Sequence, residues 1–165
     1  MIFKIYCDMD GVLTNLEGEA KKIDPLNIGF EDKSDQNITR IWKEIDKYGI
    51  SLWENLKWIN DSKILWRFIK PYNPIILSAA PSKSRGKIHT YALIGKQKWI
   101  MKNLGEEFLK TAKIVERREK KEFSDKNSIL IDDMETNIKE WNNRGGIAIL
   151  HKNSKKTIDA LKKIL

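Results

Sequence analysis

Ile2-Phe3-Lys4-Ile5-Tyr6-Cys7-Asp8-Met9-Asp10-Gly11-Val12-Leu13-Thr14 decides the fold. A short apolar run ends abruptly on an acid, two residues later comes a second acid, and Gly11 then lets the chain turn. The helical pattern of Leu16 to Ile23 follows. A strand, a polar turn and a helix in that order form the opening unit of an α/β domain.

Further along, Ile38, Ile41, Trp42, Ile45 and Tyr48 recur at helical spacing, and Gly49 closes the pattern. A helix over Ile64, Leu65, Phe68 and Ile69 starts at Asn60 or Asp61 and stops before Pro71 and Pro74. Ile75 to Leu77 reads as the second strand, Leu93 to Leu104 as a helix ended by Gly105, and Ala112 to Glu116 as the third strand. Ser128 to Ile131 and Ile147 to Leu150 are the fourth and fifth strands, with helices at Thr136 to Asn143 and Ser154 to Leu165. Nearly continuous apolar strands alternating with helices predict a doubly wound, Rossmann-like α/β fold, with about five parallel strands buried on both faces. The interval 17–60 breaks the alternation and reads as a small helical cap inserted after the first strand, so 1–16 and 61–165 form the core of one domain.

At 165 residues, 41% apolar and 33% charged, the chain is long enough for one core and too apolar for disorder. No apolar stretch is long enough to span a bilayer, and no signal-peptide pattern is present, so a cytoplasmic protein without membrane partners is expected. Cys7 is the only cysteine, which excludes an intramolecular disulfide and a cysteine-built zinc site. The net charge of +8 is unevenly spread: 81–102 carries Lys83, Arg85, Lys87, Lys96, Lys98 and Lys102 without an acid. Such a stretch is either a solvated surface or a positive field favouring phosphate-bearing partners.

Ligands of an open parallel sheet bind beyond the carboxyl ends of its strands. There this sequence places Asp8 and Asp10, then Ser78, then Arg117, Arg118, Lys120 and Lys121, and finally Asp132 and Asp133. Carboxylates brought together without a cation raise one another's pKa, and Mg2+ with a substrate phosphate is the economical solution. In that chemistry Asp8 is the nucleophile on phosphorus and Asp10 the acid and base. The Gly11 N–H approaches phosphate, Ser78 donates to a phosphoryl oxygen, and a lysine balances the transition-state charge. A calcium loop of the EF-hand kind is excluded by Leu13, where glycine is required, and by the preceding strand.

These residues resemble the haloacid dehalogenase-type hydrolase superfamily. Asp8-Met9-Asp10-Gly11-Val12-Leu13 is similar to its first motif, Ser78 to its second, a basic residue after the third strand to its third, and Ile131-Asp132-Asp133 to its fourth. Within it the chain resembles the 5'(3')-deoxyribonucleotidases and related phage and bacterial phosphatases, through 8–18, Lys96-Gln97-Lys98-Trp99 leading to Gly105, Ile114-Val115 with Arg118-Glu119-Lys120, and 129–133.

The resemblance implies a Mg2+-dependent phosphomonoesterase acting on a nucleoside monophosphate through an aspartyl-phosphate. It implies metal ligation by the Asp8 carboxylate, the Asp10 carbonyl and a carboxylate of Asp132 or Asp133, with Asn137 on a metal-bound water. Lys120 is the favoured third-motif cation, with Lys121 and Lys96 as alternates. Ser78-Ala79-Ala80-Pro81 stands where the family commonly has Thr-Ser-Pro, leaving only backbone donors at Ala79 for the substrate. Trp42 and Trp53, in the interval read as a cap, are the candidates for stacking on a base. Two alternatives stand beside this reading: a phosphatase of polynucleotide ends, and a nucleotide-binding module without turnover.

Overall fold

The structure, a computed structural model, describes residues 3–165. Strand β1, Lys4–Cys7, is central, and the strand start expected at Ile2 lies outside the described residues. Cys7 and Ile5 are buried on one face of the sheet and Tyr6 on the other, as the two-residue period of a strand demands. The helices α1 (Leu16–Ile23), α2 (Asp35–Glu54) and α3 (Ser62–Ile69) follow β1. After them come β2 (Ile75–Ala80), α4 (Lys87–Asn103), α5 (Glu106–Thr111) and β3 (Lys113–Glu116). The chain closes with β4 (Ser128–Asp132), α6 (Glu135–Asn142), β5 (Ile147–Leu150) and α7 (Ser154–Leu161).

The five strands lie in the order β3-β2-β1-β4-β5, with every pairing parallel. The expected doubly wound α/β fold is the fold observed. One face carries the larger core: Ile5, Ile76, Ile129 and Ile131 meet Ile41, Ile45, Trp53, Leu65 and Trp99 from the helices. Tyr6, Leu77, Leu130 and Trp141 form a smaller cluster on the other face.

Several boundaries differ from the sequence reading, among them the start of α4 at Lys87 in place of Leu93 and the end of α7 at Leu161. β2 runs on through Ser78, Ala79 and Ala80, because Ile114, Val115 and Glu116 of β3 pair alongside them. Ser78 is therefore inside the strand and Ala80 at its end. Gly49 does not close its helix: with φ +55° it kinks α2, which resumes to Glu54 and carries Leu52 and Trp53 into the core. Gly105 is followed by the short helix α5, which the sequence reading leaves out and whose Phe108 is buried against Trp66 at 4.7 Å.

α2 packs along α4, and the contact is close: a Cβ on Gly95 would stand 2.3 Å from the Trp53 Cβ. The helices of 17–60 thus share the sheet's hydrophobic cluster.

Candidate active site

Asp8 is the first residue past β1, its N–H donating to the Ile131 carbonyl at 2.9 Å as if the ladder continued. The next six residues wind tightly. The N–H groups of Val12, Leu13 and Thr14 all donate to the Met9 carbonyl, and Gly11 N–H donates to the Thr14 carbonyl at 2.9 Å. Gly11 has φ +82°, and a Cβ there would lie 2.0 Å from an Asp133 carboxylate oxygen. Glycine is required at this position on both counts. Its N–H, the one expected near phosphate, donates inside the loop to the Thr14 carbonyl.

The loop aims Asp8 and Asp10 at one cavity of about 400 Å³, which Gly11, Lys120 and Asp133 also line. Each aspartate meets its own buried lysine. Lys120 Nζ lies 2.8 Å from Asp8 Oδ2 and 2.7 Å from Asp132 Oδ2. Lys96 Nζ donates to Asp10 Oδ2 at 2.5 Å, to Ser78 Oγ at 2.9 Å and to the Ala79 carbonyl at 2.6 Å. Thr14 Oγ1 donates to the other Asp10 oxygen at 2.8 Å. Lys96 and Lys120 thus divide between two carboxylates the positions for which the sequence offered alternates, while Lys121 makes no ion pair among the described residues.

Lys120 is held in the turn Arg117–Phe123, whose capping box between Glu116 and Glu119 fixes its start. Asp132 is fully buried and saturated: it accepts from Lys120, from the Met134 N–H at 2.9 Å, and from Asn137 Nδ2 at 3.0 Å to each oxygen. Asn137 also accepts from Arg117 at 3.0 Å and is itself buried. Its amide therefore holds Asp132 and Arg117 in place.

One oxygen from each of Asp8, Asp132 and Asp133 lies within 4.8 Å of the others. These hard oxygen donors fit a magnesium ion, whose small octahedral shell needs few protein carboxylates. The electrostatics agree. Burial pushes the Asp8 carboxyl up to about 8, with Lys120 opposing and Asp132 and Asp10 adding to it. Loss of hydration and the charge of Asp132 push Asp133 up to about 6. Burial works against the Lys120 ammonium, yet Asp8 and Asp132 outweigh it and raise its pKa. More negative charge converges here than the two lysines neutralise, and a divalent cation answers the excess.

The cavity's upper wall is apolar and aromatic. Phe30 and Trp42 pack at 5.3 Å, and the Arg85 guanidinium lies 4.6 Å from the Trp42 ring centre. Phe30 and Met134 are wall residues without a motif to mark them, and only the folded chain brings them here. Trp53 also touches the cavity but is only 1% exposed, with the Lys96 ammonium 5.4 Å from its ring centre. Of the two expected stacking residues Trp42 is the more exposed, although the Arg85 guanidinium lies over its ring. Ser78 is wholly buried beneath the cavity and accepts from Lys96, whose ammonium holds the cavity-lining Asp10. Ala79 lines the cavity, but its carbonyl is taken by Lys96.

No protein-family model and no curated protein matches the chain. Among solved structures, a hydrolase from Streptococcus pneumoniae TIGR4 aligns over 98% of this chain and 100% of its own, at 9% identity and a TM-score of 0.57. A HAD-family enzyme from Bacteroides thetaiotaomicron, in complex with magnesium and inorganic phosphate, aligns over 93% and 96% at 16% identity and a TM-score of 0.45. A HAD hydrolase, family IA, variant 3, from Entamoeba histolytica HM-1:IMSS aligns over 98% and 88% at 14% identity and a TM-score of 0.41. The first likeness is one of fold, and the other two superpose too loosely to add to it. The likeness supports the parallel α/β fold and nothing finer. No helix among the described residues is long and apolar enough to cross a membrane.

Proposed function

We propose that the chain is a magnesium-dependent phosphomonoesterase that works through an aspartyl-phosphate on Asp8 and prefers nucleoside monophosphates. The observation that carries this reading is the pairing of Asp8 with Lys120 and Asp10 with Lys96 at the floor of a single cavity. A nucleophile and a proton carrier two residues apart are each held by a buried cation.

Asp8, the Asp10 carbonyl and Asp132 or Asp133 would hold magnesium, which when bound would supply the positive charge that keeps these carboxylates ionised beside a phosphate. An Asp8 carboxylate oxygen attacks phosphorus as the bond from phosphorus to the ester oxygen breaks. Lys120 faces the charge that builds on the phosphoryl oxygens. Asp10, held by Lys96 at 2.5 Å, passes to the leaving oxygen the proton that the monoanionic ester brings. In the second half Asp10 takes a proton from water, the water oxygen attacks phosphorus, and the bond from phosphorus to Asp8 breaks to release inorganic phosphate. Ser78 steadies Lys96 from below. The helices of 17–60 act as the cap, with Trp42 presenting its ring to a base.

Phosphate release from a panel of 5'- and 3'-nucleoside monophosphates and phosphorylated oligonucleotides tests this, with magnesium or chelator and beside Asp8→Asn. Chelator-sensitive release from monophosphates, lost in the variant, is the expected result. Equal release by Asp8→Asn overturns the mechanism. Release from oligonucleotides alone transfers the function to polynucleotide ends, and nucleotide binding without turnover leaves a binding module.

A further inference from the structure

The catalytic cavity has a neighbour. A second cavity of about 410 Å³ lies against it, lined by Ala80, Ser82, Glu116, Arg117 and Arg118, and Ala80 and Arg117 line both. Arg117 marks the junction, and it is fixed: its guanidinium donates to Asn137 and to both carboxylate oxygens of Glu140. Arg118 is exposed and forms no ion pair among the described residues. Glu116, the one acid of this cavity, is already committed, accepting from the Lys83 and Glu119 N–H groups. On its other side the cavity is lined by Ser82, which caps the turn Lys83–Arg85 near the start of the acid-free stretch 81–102.

We infer that this second cavity is an anion subsite, and that the preferred substrate carries a second phosphate beyond the one being hydrolysed. This rests on the phosphomonoesterase reading for the position of the first phosphate. The physical case is a balance of charge and fixity. Two guanidiniums face a cavity whose single carboxylate already serves two backbone donors, and planar guanidinium forks match phosphate oxygens in pairs. Arg117 is held rigidly by Asn137 and Glu140, so little side-chain entropy is lost when a ligand meets it. Arg118 supplies the free charge, and Ser82 adds a hydroxyl. The second phosphate has two sources of the same chemistry: a terminal group, as in a nucleoside 3',5'-bisphosphate, or the internal diester of a 5'-phosphorylated dinucleotide.

The test uses the full chain and Arg118→Ala, because Arg117 also supports Asn137 and its loss would disturb Asp132. kcat/KM is measured for a nucleoside 5'-monophosphate, the matching 3',5'-bisphosphate and the 5'-phosphorylated dinucleotide. The expected result is about a tenfold preference for a two-phosphate substrate, carried by KM and erased by Arg118→Ala, in line with charge-assisted contacts. The better of the two substrates identifies the source. Equal kcat/KM for all three, or a preference that Arg118→Ala leaves intact, overturns the subsite.

Equilibrium binding of the same ligands to Asp8→Asn, with and without Arg118→Ala, separates this proposal from the catalytic one. An affinity gap that Arg118→Ala closes supports the subsite even where no turnover is seen. Identical affinities for monophosphate and bisphosphate end it, even where the enzyme is active.

Discussion

The floor and the upper wall of the catalytic cavity are built by different means. The floor is anchored to the sheet: Asp8 extends β1, Asp132 ends β4, Lys120 clamps both at 2.7 to 2.8 Å, and Asn137 holds Asp132 at 3.0 Å. The wall is made of helix and loop, where Phe30, Trp42 and Arg85 meet by ring packing and a cation over an aromatic face. The floor therefore resists displacement, because moving one carboxylate leaves a buried charge unpaired. The wall yields at much smaller cost, since each of its contacts is worth only about 0.5–1.5 kcal/mol beyond buried area. On the proposed function, chemistry rests on the rigid part and selection among substrates on the adjustable one.

The sharpest break in this comparison is Asp8→Asn, expected to reduce phosphate release below detection without unfolding the protein. The neutral amide keeps the shape and removes an acid whose charged form is disfavoured, so the variant should melt no lower than the parent at pH 8 in chelator. Calorimetry beside the activity assay checks both halves. Asp10→Asn should cost about 10²–10⁴-fold in kcat, the range for losing a general acid and base.

Lys120→Met is the matching test of stability. It leaves Asp8 and Asp132 buried without their cation, and destabilisation of about 3–5 kcal/mol is expected from denaturant unfolding in chelator. Magnesium should recover part of it, since it supplies charge to the same carboxylates. Gly11→Ala comes next: a residue with a side chain at positive φ costs about 1–3 kcal/mol, and the added Cβ displaces Asp133. Weakened magnesium affinity, read by titration, should accompany the lower melting temperature.

The pH dependence sharpens the same contrast. An acid with a raised folded-state pKa binds more protons folded than unfolded, so stability falls as pH rises. For Asp133 and Asp8 the window runs from the ordinary carboxylate value of ~4 through about 6 and up to about 8. The metal-free protein should lose melting temperature across that window. The rise on adding magnesium should be larger at pH 8 than at pH 5.5, because the ion binds the ionised carboxylates. An equal rise at both pH values would show that these acids are not its ligands. The smallest effect belongs to the wall: Trp42→Ala should raise KM for nucleotides by about 1–3 kcal/mol in free-energy terms, with kcat little changed.

Much of the site was legible along the chain. Asp8, Asp10, Asp132 and Asp133 follow short apolar runs, and in a parallel sheet such positions converge on one edge whatever the loops between them do. Ser78 was placed at a strand end because Leu77 closes the apolar run, yet β2 continues while β3 has partners to offer it. Asn137 lies one helical turn beyond the acids, and its two-sided amide meets both Asp132 and Arg117, a pairing that no spacing along the chain shows. Trp42 and Trp53 both lay in the interval read as a cap. The kink at Gly49 turns one into the core and leaves the other at the cavity.

From sequence alone come the α/β order, the parallel sheet and the carboxylate cluster, because apolar periodicity and residue order are local properties that packing only has to respect. The tertiary structure alone decided which lysine serves which aspartate. Lys96 is 86 residues from Asp10, and Lys120 is 112 from Asp8 and 12 from Asp132. No spacing rule spans such separations, and the choice falls to the distances that remain once the helices have packed on the sheet. The same holds for the second cavity beside Arg117, whose walls come from the ends of two neighbouring strands.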